Sequence, residues 1–277
     1  YTTANGTFEF GTADSLEISA GDSAIIQLQV NPQGISGYGS TTVEFESHNN
    51  PGMSGSIIFN NVTSGGTAIL VISAGNREYE SSVLESINNV YDGTCGAVSR
   101  SALEPANLDL SNFGIVVWQG SNSDRAFYEN EVTKLQDYLD GGGNLLITGQ
   151  NIGSDIFETT GQSHFAQDFY HNYLHANYVA DISNLFLIKG VPGDIISNGV
   201  QFVANSIYER SLDKISPLDT NATAILTYFN GPDIAGIRAA ADNYRIVYMV
   251  TGPEQITDLA VRDTINARSI RWLAENV

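Results

Sequence analysis

The chain has 277 residues and carries 31 acidic against 12 basic side chains, a formal net charge of −19. A surface of that sign repels nucleic-acid phosphates and anionic lipid, so neither is an expected partner. Hydrophobic residues make up 42% of the chain, with no apolar run approaching the ~20 residues that span a bilayer, and the single cysteine, Cys95, excludes an internal disulfide or a cysteine-rich zinc site.

Residues 1–65 contain no lysine or arginine and six acids. Short alternating runs at 7–10, 15–18, 24–30, 40–46 and 55–59 are rich in β-branched or aromatic residues, with Gly, Pro, Asn and Asp between them. Strands of that length and spacing predict a small all-β sandwich. The opening residues 1–6 lack a basic or apolar leader pattern, as expected of a mature form or an excised piece.

The pattern changes after a short glycine-rich hinge at 64–67. Residues 68–73 (AILVIS) form a continuous apolar run, the mark of a strand covered on both faces. A helix is predicted over 78–90, with Val83, Leu84, Ile87 and Val90 at helical spacing. Cys95 falls in a connecting segment in this reading, as a small half-buried residue and not a nucleophile. A second buried strand follows at 113–118, then a helix at 128–140 ended by Gly141, Gly142 and Gly143. A third strand is predicted at 144–148, and a tight turn at Gly149, Gln150 and Asn151 leads into the next helix. Beyond it come a helix at 165–174, strands at 185–188 and 222–228, an antiparallel hairpin of 234–239 with 244–250, and a closing helix at 258–275. Strand–helix alternation with apolar strands predicts a doubly wound, mainly parallel sheet.

Two resemblances follow from particular phrases. Residues 18–32 (ISAGDSAIIQLQVNP) resemble the Ig-like modules appended to secreted bacterial enzymes. Residues 69–75, 137–153 (DYLDGGGNLLITGQNIG), 173–181 and 245–249 resemble the class I glutamine-amidotransferase-like domain of secreted bacterial multidomain proteins, a flavodoxin-type fold also similar to trehalose-utilisation-type domains. The expected fold class is therefore multidomain β plus α/β: an Ig-like β-sandwich at 1–65, then a flavodoxin-like domain at 66–277. The resemblance implies an extracellular or cell-surface setting beside other domains of a parent protein, such as the C-terminal part of a secreted protease. It also places the nucleophilic cysteine of the family at the turn where this chain has Gln150 and Asn151. An amide has no ionisable lone pair for a neighbouring base to activate, so no catalytic residue is assigned there.

In a doubly wound sheet, ligands bind beyond the C-terminal strand ends. The polar residues expected at that rim are Asn76 and Arg77 after the first strand, Gln119, Ser121 and Asp124 after the second, and Gln150, Asn151 and Asp155 after the third. His175, in the family-like phrase at 173–181, is expected to point towards the turn. His171 and His175 have metal-ligand spacing, but the intervening residues lack the His-Glu-x-x-His acid, so hydrogen-bonded roles are expected and no metal is assigned. No cofactor is expected; the acidity suits calcium, yet no calcium motif is present. A small molecule or a glycan is the candidate ligand; Trp118 and Tyr128 could stack on a sugar ring, but aromatic residues near strand ends are more often core. The leading expectation is a non-catalytic accessory module. The alternative is a hydrolase with Ser73, Ser121 or Ser154 as nucleophile, or with Asp124 and Asp155 as paired carboxylates.

Overall fold

A computed structural model describes the whole chain except residues 10, 32, 34, 36, 64, 76–78, 104–107, 160–163, 183, 230 and 276–277, and the backbone alone at 38, 60 and 182. The chain divides into two compact units, Tyr1–Ile35 and Ser36–Val277.

The first unit has little regular structure. Strands β1 (Thr2–Thr3) and β2 (Gly6–Thr7) pair antiparallel, and Thr2 bridges to Gln27. Asp14 holds the turn between them by accepting from Thr3 Oγ1 at 2.6 Å and from Asn5 Nδ2 at 3.0 Å. Ile18, Ile25, Ile26 and Val30 remain exposed.

The second unit opens with a long hairpin, β3 (Tyr38–Ser47) and β4 (Asn50–Val62). Its register sets Thr41 opposite Phe59, Val43 opposite Ile57 and Phe45 opposite Gly55, so these apolar side chains share one face. The Phe45 ring lies over Gly55, where a Cβ would come within 2.6 Å of it and push the ring aside. The two-sheet sandwich expected over 1–65 is not seen among the described residues. Period-two alternation chooses which side chains share a face, but a sandwich also needs a second sheet to bury that face. The described residues here form only the two-residue pairing and the hairpin, with Phe45, Ile57 and Ile58 at least half exposed.

The remainder is one eleven-stranded mixed sheet with helices packed on it. The elements run β5 (Ile69–Ser73), α1 (Glu80–Asn88), β6 (Cys95–Ser99), β7 (Ile115–Ser121), α2 (Glu129–Asp140), β8 (Asn144–Gly149), α3 (Ile152–Glu158), α4 (His164–Asn172), β9 (Ala176–Ile182), β10 (Leu187–Gly190), β11 (Gln201–Val203), β12 (Leu212–Pro217), β13 (Ala222–Tyr228), β14 (Ile234–Ala240), β15 (Arg245–Met249) and α5 (Leu259–Ala274). Five strands are parallel, in the spatial order β6-β5-β7-β8-β15. Counted along the chain that order is 2-1-3-4-5, the flavodoxin-like doubly wound arrangement, whose switch point lies between β5 and β7. Beyond β15 the sheet continues antiparallel through β14, β13, β10 and β11, with β12 joining β14 to β9.

The apolar runs became the buried centre. Every residue of β5, β7 and β8 is buried, because helices cover both faces of the parallel strands. The expected helices and the β14–β15 hairpin formed within a few residues of their predicted bounds. Cys95 differs. It begins β6, buried beside Ile69, and burial pushes its thiol pKa up to about 12. Among the described residues no helix is long and apolar enough to cross a membrane.

Candidate functional site

The C-terminal ends of β5, β7 and β8 form the rim that the topology selects for ligand binding. Ser73, Gln119 and Thr148 sit opposite one another in register, so they make a polar row across the three central strands on one face of the sheet. All three are buried, Gln119 and Thr148 completely. Gln119 donates through Nε2 to Glu254 Oε2 at 3.2 Å, and Tyr208 donates its hydroxyl to Glu254 Oε1 at 2.8 Å. Burial and the Glu254 charge push the Tyr208 hydroxyl far above its ordinary pKa, so it stays a donor. The Tyr79 ring lies 5.7 Å from that of Tyr208. The Gln119 Oε1 and Thr148 Oγ1 atoms are buried without a protein partner.

The turn after β8 has the backbone of a sharp strand-to-helix elbow. Gly149 has φ +142°, and a Cβ there would meet Ser121 N at 2.7 Å, so only glycine fits. Asn151, the residue before α3, is left-handed with φ +61°, a conformation that asparagine tolerates better than most side chains. Gln150 acts as a brace. Its Nε2 donates to the Glu209 carbonyl at 2.6 Å and its Oε1 accepts from Ser211 N at 3.2 Å, fixing the segment before β12 to the elbow. The first amides of α3 are taken by the chain's own carboxylate: Asp213 accepts from Gly153 N at 2.6 Å and from Ser154 N at 3.3 Å. Asp213 is fully buried, and burial, assisted by Asp181, raises its pKa to about 7 despite those two amides.

Of the residues expected at the rim, Gln119, Ser121, Gln150 and Asn151 are brought together at the strand ends. Ser121 is buried with φ +49°, and its carbonyl accepts from Gln150 N at 2.9 Å. Asp155 is buried one turn into α3 and accepts from Ala126 N at 2.7 Å, tying α3 to the loop after β7. Asp124 is exposed to solvent, two residues before the Ala126 amide that Asp155 accepts. Asn76 and Arg77 lie outside the described residues.

His175 is not at the rim. Its Nδ1 lies 2.7 Å from Asp219 Oδ2 and its Nε2 lies 3.1 Å from the Tyr244 hydroxyl. Tyr244 precedes β15, which runs parallel to β8, so His175 lies at the opposite end of the strands from Gln150, about 20 Å of extended chain away. The helix before it ends at Asn172, and His175 itself is left-handed at φ +53°. Trp118 belongs to the core and is no sugar platform: it is fully buried, between the Phe127 ring and the Arg100 guanidinium.

Sequence reasoning missed the partners that close the rim. Glu254, Tyr208 and Asp213 come from segments 46 or more residues from the groups they meet across the site. Arg100 was missed as well. It pairs with Glu131 and donates to the carbonyls of Ala74 (3.1 Å) and Arg125 (2.7 Å), locking the loops after β5 and β7 together. Among the described residues no serine or cysteine is hydrogen-bonded to a histidine, and no cluster of His, Cys, Asp and Glu is arranged to hold a metal.

No family model matches the chain, and no curated protein matches it. Among solved structures, the N-terminal domain of mmIFT52 superposes with a TM-score of 0.51 at 14% identity, covering 75% of this chain and 97% of that one. A glutamine amidotransferase from Thermotoga maritima gives 0.43 at 14% identity, with 76% and 89% covered. A glutamine amidotransferase from Methylobacillus flagellatus gives 0.46 at 8%, with 76% and 96% covered. The likeness to the mmIFT52 domain is one of fold, and at that identity fold does not carry chemistry with it.

Proposed function

We propose that residues 66–277 are an amidotransferase-like domain that works by binding and not by catalysis, as an accessory module of a larger secreted bacterial protein, with residues 1–65 as an Ig-like companion. The observation that supports this most directly is the elbow. Its left-handed residue, at φ +61°, is Asn151, whose side chain offers no activatable nucleophile. The histidine and the thiol named from the sequence are elsewhere: His175 is held by Asp219 and Tyr244 at the far end of the sheet, and the Cys95 thiol is buried in β6. The net charge of −19, and the absence of lysine and arginine from residues 1–65, support the extracellular setting. The parent the domain order suggests is a secreted protease.

The test is hydrolysis by the purified chain. Glutamine and p-nitrophenyl acetate should be turned over no faster than in buffer. Turnover that is lost in the Ser121→Ala or Ser154→Ala variant would establish the hydrolase alternative instead.

A further inference from the structure

The rim's polar atoms are unevenly matched. The buried side-chain oxygens left without partners on the central row are Gln119 Oε1 and Thr148 Oγ1, both with free acceptor capacity. Above them stands the half-buried Glu254 carboxylate, oriented by Gln119 Nε2 at 3.2 Å and by the Tyr208 hydroxyl at 2.8 Å. Beside Tyr208 is the half-buried Tyr79 ring, 5.7 Å away. A carboxylate, surplus acceptors and an aromatic face together call for a ligand that brings positive charge and several N–H donors. An anion or a neutral acceptor would add repulsion and leave Gln119 Oε1 unpaired.

We infer that the Gln119–Glu254–Tyr208 cluster at the β5/β7 switch point is a binding site for a protonated primary amine. The ammonium group meets the Glu254 carboxylate and the Gln119 carbonyl oxygen, and the adjoining methylenes lie against Tyr79. The inference rests on the rim being a binding site, and it names the class of ligand. A chain of net charge −19 also raises the local concentration of such a cation before it docks.

The experiment titrates the whole chain with putrescine, and with 1,4-butanediol as its neutral isostere, at 150 mM sodium chloride. Calorimetry and the side-chain amide NMR signal of Gln119 serve as readouts. Putrescine should bind saturably and move the Gln119 signal, and the diol should do neither. Glu254→Gln should weaken binding at least tenfold, about 1.4 kcal/mol. Tyr208→Phe, which frees one carboxylate oxygen but keeps the ring, should weaken it less. If Glu254→Gln does not melt cooperatively, Tyr208→Phe and Glu254→Asp carry the measurement. Equal affinity in wild type and variants would reduce the effect to surface attraction and overturn the site, as would no binding at all. The hydrolysis assays above are read independently, so an absent amine site and an active hydrolase give different results.

Discussion

Asp213 links the elbow to the second half of the sheet, and its ionisation has a calculable effect on stability. A carboxyl that titrates near 7 in the folded chain, against 3.8 for an ordinary aspartate, binds its proton more tightly when folded. The folded state is therefore the stronger proton binder between about pH 4 and pH 7, and stability falls as pH rises through that window. The full effect is about 4 kcal/mol, as an upper bound for a site that cannot relax. In Asp213→Asn the titration is removed. The amide can still accept from Gly153 N, now 2.6 Å from Oδ2, but its NH2 would face Ser154 N, at a cost of about 1–3 kcal/mol. Urea unfolding of both proteins from pH 4.5 to pH 8 gives the difference in stability at each pH, which cancels the groups common to both. The wild type should lead by about 1–3 kcal/mol at pH 4.5, and the difference should move by about 3 kcal/mol towards the variant by pH 8, erasing or reversing that lead. A difference that stays flat would refute the reasoning, because it would mean that the two α3 amides outweigh burial and keep Asp213 ionised throughout.

Arg100→Leu should cost about 3–5 kcal/mol in chemical unfolding, because it strands the buried Glu131 carboxylate as well as removing the bonds to Ala74 and Arg125 carbonyls. Asn151→Ala should destabilise by about 1 kcal/mol, the cost of a left-handed backbone with a Cβ, whereas Asn151→Gly should stay within about 0.5 kcal/mol of wild type in the same assay. Cys95 should resist iodoacetamide in the folded chain at pH 8 and react readily in urea, since its thiol is buried and its pKa pushed up to about 12. Labelling at equal rates in both conditions would place Cys95 outside the β6 core.

The parallel half of the sheet was readable because strands covered on both faces have no choice of residue type. AILVIS at 68–73 and the run at 113–118 can be little else, and Asp242 with Asn243 marks a turn chemically. β6 was missed because Cys95–Ser99 is short and rich in small residues, and its burial comes from neighbours and not from its own hydrophobicity. β9 and β12 pair with each other across thirty or so intervening residues, a distance over which local periodicity says nothing. The rim was readable only in its first layer. Gln119, Gln150 and Asn151 follow buried strands directly, so topology places them. Glu254 and Tyr208 reach the rim through loops whose course depends on tertiary packing, and His175 was misplaced because the family-like phrase at 173–181 does not say at which end of the sheet its residues lie.

The position of β15 has a consequence for biosynthesis. It is the seam of the sheet, parallel to β8 on one side and antiparallel to β14 on the other, yet among the described residues it is the last of the sheet's strands in chain order. As the chain emerges from the ribosome, β8 and β14 each present an open row of backbone donors and acceptors until β15 arrives between them. The nascent protein thus passes through a stage with two sticky edges of opposite polarity. Its yield in the cell should depend on how quickly that last strand is released and how well the waiting edges are shielded.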